Sequence, residues 1–385
     1  MSRLTITDRR ERALVAAADA TLSIAALARS SRSCPTTPER IVCLRLERIG
    51  DLLMTVPAIA DLKAAFPDAS LDLVVGSWNR DIAAAIPAVA CVETLDAAWL
   101  SRNGNGEGLV SLLRDAAGWR SRHYDIAVNF EPDIRSNLVM AAIGARWTAG
   151  FASGGGGALL DTALAYDTTI HTTDNARALV NAITGGAARR PEFALAIPEV
   201  DRKRAAQLLA RFDGARQIGI HVSGGRAIKQ WPESRFREVA ERLVHGRDAA
   251  IVLTGTADDR AQVNGILAAL PPDRVVDLSG DQPLLTVAAV LERLDLFVTG
   301  DTGPMHLAHA VGTPIVAIFG PSQPVRYGPR GVRDRVVRID LPCSPCNRIR
   351  VPPARCTGHT PDCMAGVDVA SVLAAIDEVL GGGTR

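Results

Sequence analysis

The chain has 385 residues, 47% hydrophobic and 22% charged, a balance that can bury a sizeable core and points to two or three domains. Its 43 basic and 42 acidic residues leave a net charge of +1, which excludes the broad positive field of a general nucleic-acid binder. Seven cysteines are too few for a disulfide scaffold at this length, and no run reaches the roughly 18–20 apolar residues of a membrane span.

In chain order, the first element is the Ala-rich stretch Ala13–Ala28, between Arg12 and Arg29. It contains Asp19 and lacks the bulky aliphatic run of a signal peptide. It reads as an amphipathic helical extension of a cytoplasmic protein, with peripheral contact at the inner membrane as the alternative. Ser30–Pro38 (SSRSCPTTP) reads as a flexible link. From Arg40 onward, short aliphatic runs alternate with helical stretches. The runs are Ile41–Leu46, Leu71–Val75, Asp125–Phe130, Gln217–Val222, Ala250–Thr254, Arg274–Leu278, Leu294–Thr299 and Pro314–Phe319. Bounded by Gly, Asp or Pro, they read as strands buried on both faces. The alternation predicts parallel sheets covered by helices such as Asp51–Ala65 and Glu233–Val244.

Eight strands overfill one sheet of usual size, and the Pro-containing link Ala196–Asp201 offers the cut. The expected organisation is an extension over 1–38, one doubly wound domain over 39–198, a second over 199–365, and a terminal helix and tail over 366–385. Asn103–Gly108 (NGNGEG) and Ser153–Gly157 (SGGGG) read as flexible loops of the first half.

Ligands of doubly wound sheets sit beyond the carboxyl ends of the strands, at helix N-termini. No GxxxxGK[ST] loop is present, nor a GxGxxG after the first strand, which argues against P-loop NTPases and ordinary NAD enzymes. The first strand is followed by Glu47-Arg48-Ile49-Gly50-Asp51, then a helix with Pro57 in its second turn. Asp51 is either a helix cap or a carboxylate kept ionised at a helix N-terminus for use as a general base. Beyond Gln217–Val222 come Ser223-Gly224-Gly225 and then Lys229 before Trp231-Pro232. The turn can form a nest of backbone N–H groups for an anion. Lys229, one of only three lysines, is either a phosphate-binding cation or a solvated loop residue. Leu294–Thr299 runs into Gly300-Asp301-Thr302-Gly303-Pro304-Met305-His306. Here Asp301 or Thr302 can cap a helix whose first turn accommodates Pro304, and whose amides suit an anion. His306 and His309 share a helix face. His306 is expected near the phosphates and His309 in the core.

Together these elements resemble glycosyltransferase family 9, known for ADP-heptose:lipopolysaccharide heptosyltransferases. The matching residues are Ile41–Pro67 (IVCLRLERIGDLLMTVPAIADLKAAFP), Ile218–Leu243, Ile251–Asp259 and Leu296–Pro329. The resemblance implies the α/β GT-B architecture: two Rossmann-like doubly wound domains facing across a cleft, the first for the acceptor and the second for the nucleotide sugar. It implies Asp51 as general base. It places Ser223, Gly224, Lys229, Asp301, Thr302 and Gly303 on the donor, with Asp258 or Asp259 near the donor's ribose, and Arg135 on the acceptor side; His306 is expected to join the donor site and Arg48 the acceptor side. The implied function is inverting transfer of a heptose, or a similar sugar, from an ADP-sugar to a hydroxyl of a lipopolysaccharide inner-core-type acceptor. Alternatives are transfer to a protein or small molecule, and a catalytically silent sugar-nucleotide binder.

The chemistry is coherent on its own terms. Negative charge grows on a departing diphosphate, where helix amides and Lys229 stabilise it. Asp51 deprotonates the attacking hydroxyl on the opposite face, inverting the anomeric centre. No metal cofactor is expected for catalysis. Separately, Cys343, Cys346, Cys356 and Cys363 follow C-x2-C-x9-C-x6-C spacing, with His359 nearby. They read as a four-thiolate structural site for zinc or iron, as reduced thiols in a Pro-rich loop, or as a disulfide source.

Overall fold

The computed structural model describes residues 8–26, 32–101, 105–186, 195–212 and 214–381, with Leu4 and Ile6. Two compact units divide between Ala194 and Leu195. The first runs α1 (Arg9–Ala26), β1 (Arg40–Arg45), α2 (Ile49–Ala65), β2 (Ser70–Val75), α3 (Arg80–Ala84), β3 (Cys91–Thr94) and α4 (Leu109–Gly118). It continues with β4 (Ile126–Asn129), α5 (Ile134–Ile143), β5 (Trp147–Phe151), β6 (Thr162–Leu164) and α6 (Thr172–Thr184). The second unit runs α7 (Glu199–Leu209), β7 (Arg216–His221), α8 (Glu233–Arg247), β8 (Ala249–Thr254), α9 (Arg260–Leu267), β9 (Val275–Asp277) and α10 (Leu284–Leu291). It ends with β10 (Leu296–Gly300), α11 (Gly303–Ala310), β11 (Ile315–Ile318), α12 (Pro324–Tyr327), β12 (Arg335–Val337), α13 (Asp362–Ala365) and α14 (Val369–Gly381).

Each unit holds one six-stranded sheet, ordered β3-β2-β1-β4-β5-β6 in the first and β12-β11-β10-β7-β8-β9 in the second. Every pairing between these strands is parallel. Read from each unit's own first strand, both follow the doubly wound order 3-2-1-4-5-6, which reverses direction between its first and fourth strands. This is the two-Rossmann α/β class the sequence implied.

All eight aliphatic runs are strands. Four further strands carry weaker signals. β3, β6 and β12 are sheet edges, two of them only three residues long, and β5 is short and contains Gly150. The inner strands are buried on both faces, as parallel strands between helix layers must be. In the second unit Ile218, Ile220 and Val222 pack with Phe236, Val239 and Leu243 of α8 and with Val372 and Ile376 of α14. Each such side chain stabilises the unit by about 1.5–3 kcal/mol. α14 is therefore part of that unit's core. Pro57 lies inside α2 rather than at its start.

Two expectations about loops are corrected. Ser153–Gly156 is buried rather than loose. Asn137 Nδ2 donates to Gly155 O at 2.8 Å, and Asp19 of α1 accepts from Gly156 N at 2.7 Å. Gly155 and Gly156 both have positive φ, which explains why glycine stands there. α1 packs beside this loop through its half-buried stripe Val15, Asp19, Leu22 and Ala26, so the extension is docked on the first unit. The link Ser30–Pro38 lies partly outside the described residues. Within it, Arg32 Nη1 donates to Arg146 O at 2.8 Å, which ties that stretch down. The loop Asn103–Gly108 is described only from Asn105 onward, where it is exposed.

Candidate functional site

In the first unit the direction reversal falls between β1 and β4. β1 ends in Arg45, and α2 begins at Ile49 with Arg48 at its cap position. Asp51 is thus inside the first turn, not the cap, and it is only partly exposed. Arg45 is buried, 2% exposed. Its guanidinium reaches Asp51 Oδ1 at 3.3 Å, Glu131 Oε2 at 3.2 Å and Glu47 Oε2 at 3.6 Å. It also donates to Phe130 O at 2.8 Å. Burial works against its charge, but Glu131, Asp51 and Glu47 together hold it more firmly protonated than usual.

Glu131 follows β4 and is 3% exposed. Burial pushes its carboxyl up to about 7, against the pull of Arg45, and the nearby Glu47 carboxylate adds to the rise. Glu131 Oε1 accepts from Glu47 N at 2.9 Å. Its own N–H donates to Asn129 Oδ1 at 3.0 Å, and Asn129 donates to Asn137 at 2.7 Å. Asn137 Nδ2 donates in turn to Phe151 O at 3.0 Å. A chain of buried amides therefore fixes the backbone that carries this carboxylate. The sequence reading missed Arg45 and Glu131. The available signal was a charged residue inside the aliphatic run IVCLRL. Arg135 stands on the first turn of α5, but its guanidinium pairs with Asp133 at 2.9 Å and lies 4.8 Å from the Trp99 ring centroid.

In the second unit the reversal falls between β7 and β10. Lys229 Nζ pairs with Asp301 Oδ2 at 3.0 Å and also donates to Asp301 O. A Cβ built on Gly300 would sit 3.9 Å from both Ser223 O and Lys229 O, so the loops after the two strands meet here. Thr302 occupies the cap position of α11 without a side-chain cap bond. Its hydroxyl pairs instead with Thr299 at 3.1 Å. Pro304 sits in the first turn, and His306 is buried.

The Ser-Gly-Gly turn is not the open anion nest its composition suggests. Gly224 N donates to Gln230 Oε1 at 2.6 Å, and Gly225 N to Ser223 Oγ at 3.2 Å. Any Cβ on Gly224 would lie 2.7 Å from Gln230 N, so the turn closes tightly against the segment that carries Lys229. Trp231 is a core anchor: its Nε1 donates to Val367 O at 3.0 Å, and its ring meets Phe236 edge-on. The anion-directed features are thus Lys229 and the start of α11. Asp258 is exposed in the helical turn Ala257–Asp259 beyond β8, whereas Asp259 is buried in a capping box with Thr256. His309 is corrected: it is exposed, 3.5 Å from Asp334, because its side of α11 faces outward.

All seven cysteines are free thiols, which removes the disulfide alternative. Cys363 is buried, and its thiol is raised chiefly by burial, with Cys346, Cys356 and Cys343 each close enough to add to the rise. Ser344 Oγ and Asn347 N donate to Gly320 O and Pro321 O, both at 2.7 Å. The cysteine segment is thereby tied to the carboxyl end of β11. Among the described residues, no three His, Cys, Asp or Glu side chains converge closely enough to hold an ion as they stand.

The model of glycosyltransferase family 9 (heptosyltransferase) matches residues 116–353, more than half of the chain. The chain belongs to glycosyltransferase family 9. Family-9 relatives bear this out along most of its length. The chain is similar to the lipopolysaccharide core heptosyltransferase OpsX of Haemophilus influenzae, 22% identical over 78% of this chain and 85% of that protein. It shares its fold with the Escherichia coli ADP-heptose lipopolysaccharide heptosyltransferase II, with a TM-score of 0.71 at 22% identity over 89% of this chain and 99% of that one. The iron-containing dodecameric glycosyltransferase TibC of enterotoxigenic E. coli is a more distant likeness, with a TM-score of 0.55 at 12% identity over 91% and 78% of the chains. As a family-9 member the chain is a glycosyltransferase. Among the described residues, no helix is long and apolar enough to cross a membrane.

Proposed function

We propose that this glycosyltransferase moves a heptose from ADP-heptose to a hydroxyl of a lipopolysaccharide inner-core-type glycolipid, with inversion. Family membership supports the heptosyl class. The observation that carries the chemistry is the pairing of Lys229 with Asp301 at the second sheet's reversal point, beside the start of α11. Lys229 and the α11 amides take the charge that grows on the leaving ADP, as preorganised donors do in phosphoryl leaving-group chemistry. Ser223, Gly224, Thr302, Gly303 and His306 shape that donor site, and the exposed carboxylate of Asp258 is the group offered to the ribose. Asp51, held by Arg45, removes the proton of the attacking hydroxyl on the face opposite the ADP. Arg48 and Arg135 face the acceptor's anionic groups, and the glycolipid brings the enzyme to the cytoplasmic face of the inner membrane. Asp51→Asn tests this reading. Transfer from ADP-heptose is expected to fall by at least ~10²-fold with ADP affinity intact. Wild-type turnover in that variant would refute the base assignment.

The four thiols are proposed to hold a structural zinc or iron. The support is their chemistry and their C-x2-C-x9-C-x6-C order: soft thiolates select these metals, and the structurally similar TibC is iron-containing. Such a metal would brace the segment tied to the end of β11 and offers no step in transfer. Elemental analysis of protein purified without chelator is expected to find about one zinc or iron per chain, with chelation lowering the melting temperature. Metal far below stoichiometry would refute this.

A further inference from the structure

The first sheet's reversal point holds a buried charge cluster. A guanidinium at 2% exposure is costly to bury unless paired, and here three carboxylates, Glu131, Asp51 and Glu47, surround it. Arg45 Nη1 faces Glu131, while Nη2 faces Asp51 and Glu47. We propose that Arg45 and Glu131 are positioning residues for the Asp51 base: one buried guanidinium is divided between Glu131 on one side and Asp51, with Glu47, on the other, so the charge on Glu131 sets how basic Asp51 is. The inference rests on Asp51 acting as the base.

The charged and titratable groups around Glu131 come from each element packed there. Arg45 comes from β1, Glu47 from the link after it, and Asp51, which shares Arg45, from α2. Tyr166, beyond β6, acts on Arg45. With Glu131 neutral, Arg45 turns wholly to Asp51 and Glu47 and holds Asp51 as a weak base. With Glu131 ionised, Arg45 is shared and Asp51 grips a proton harder. Two carboxylates on one cation titrate as a pair, and burial places the Glu131 step near neutrality. Glu131 never needs to touch substrate. Its carboxylate is held by Glu47 N and its backbone by the Asn129–Asn137 chain, which makes the division of Arg45 reproducible rather than incidental.

The test is the single-turnover rate of transfer from ADP-heptose to inner-core glycolipid of a heptose-deficient strain, measured from pH 5.5 to 8.5. The wild type is expected to show an inflection near neutrality, on the order of threefold, as base strength rises. Glu131→Gln should lose that inflection and stay at the low-pH rate, with unchanged ADP affinity. Glu131→Asp, which keeps the charge, should retain a displaced inflection and covers the case in which the Gln variant fails to fold. An inflection identical in wild type and variants overturns the inference, because a merely structural role would leave the profile in place. Asp51→Asn is run alongside. If it keeps wild-type turnover, the base reading itself has failed and takes this inference with it. If it is inactive while the Glu131 variants keep the wild-type profile, only the inference falls.

Discussion

Replacing Lys229 by alanine removes the one ammonium that the second unit places beside the start of α11. Lys229 and Asp301 are 17% and 14% exposed and 3.0 Å apart, so the pair is well shielded from solvent. A charge-assisted hydrogen bond to a diphosphate contributes about 1.5–3 kcal/mol net. At about 1.4 kcal/mol per tenfold, the Kd for ADP should rise by roughly 10- to 150-fold. The upper part of that range is expected. The substitution also strands the Asp301 carboxylate beside an incoming anion, where like charges repel. Lys229→Arg should recover only part of the loss, since a planar fork does not replace a compact ammonium. Titration calorimetry with ADP measures the effect directly. Thermal shift offers a second reading, because ADP at a hundred times its Kd stabilises the native state by about 2.7 kcal/mol. An Ala variant with wild-type ADP affinity and a normal melt would refute the phosphate role.

Two further outcomes follow from the second unit. His221 is buried and kept neutral, its pKa lowered to about 4 by burial. The unfolded chain binds that proton near the usual 6.5, so this group's contribution to stability is full above about 6.5 and is lost as pH falls towards 4. His221→Gln should flatten the acid side of the melting-temperature profile, and an unchanged slope would show that His221 is not the group responsible. Gly224→Ala puts a Cβ 2.7 Å from Gln230 N, a backbone atom that cannot swing aside. It is expected to cost about 1–3 kcal/mol of stability and to weaken ADP binding by displacing Lys229. A variant that melts and binds like wild type would show that the turn tolerates a side chain.

Seven of the eight legible strands are inner, and parallel strands covered on both faces must be uniformly aliphatic; the eighth, β9, is an edge, while the inner β5 was missed because it is short and contains Gly150. β3, β6 and β12 were not legible, because an edge strand needs only a few such residues. Asp51, Lys229 and the Asp301–Gly303 loop could be proposed from sequence because each lies in the connection or first helical turn that follows a strand, where doubly wound sheets offer ligand sites. Arg45 and Glu131 could not be paired from sequence. They are 86 residues apart and meet only because β4 lies beside β1. Glycine content misled twice. In both the Ser223–Gly225 turn and the Ser153–Gly157 loop, amides that composition leaves open are taken by side chains from elsewhere: Gln230 in one case and Asp19 in the other. His309 failed for a related reason, since helical spacing tells which residues share a face but not what that face meets.

The docking of α1 bears on how the chain is cut for experiment. The first sheet begins at Arg40, and a boundary drawn there would discard Val15 and Asp19 along with the extension. Val15 is the side chain nearest the space beside Gly155, and Asp19 is the acceptor for Gly156 N–H. Without them, two left-handed glycines lose their cover and the Gly156 amide hydrogen is left to solvent. Exchange of that single amide with deuterium therefore reports whether the extension is seated: slow in the full chain, fast in one begun at Arg40. A shortened protein would carry an altered β5–β6 connection even if both sheets formed normally, and kinetics measured on it would describe a different first unit.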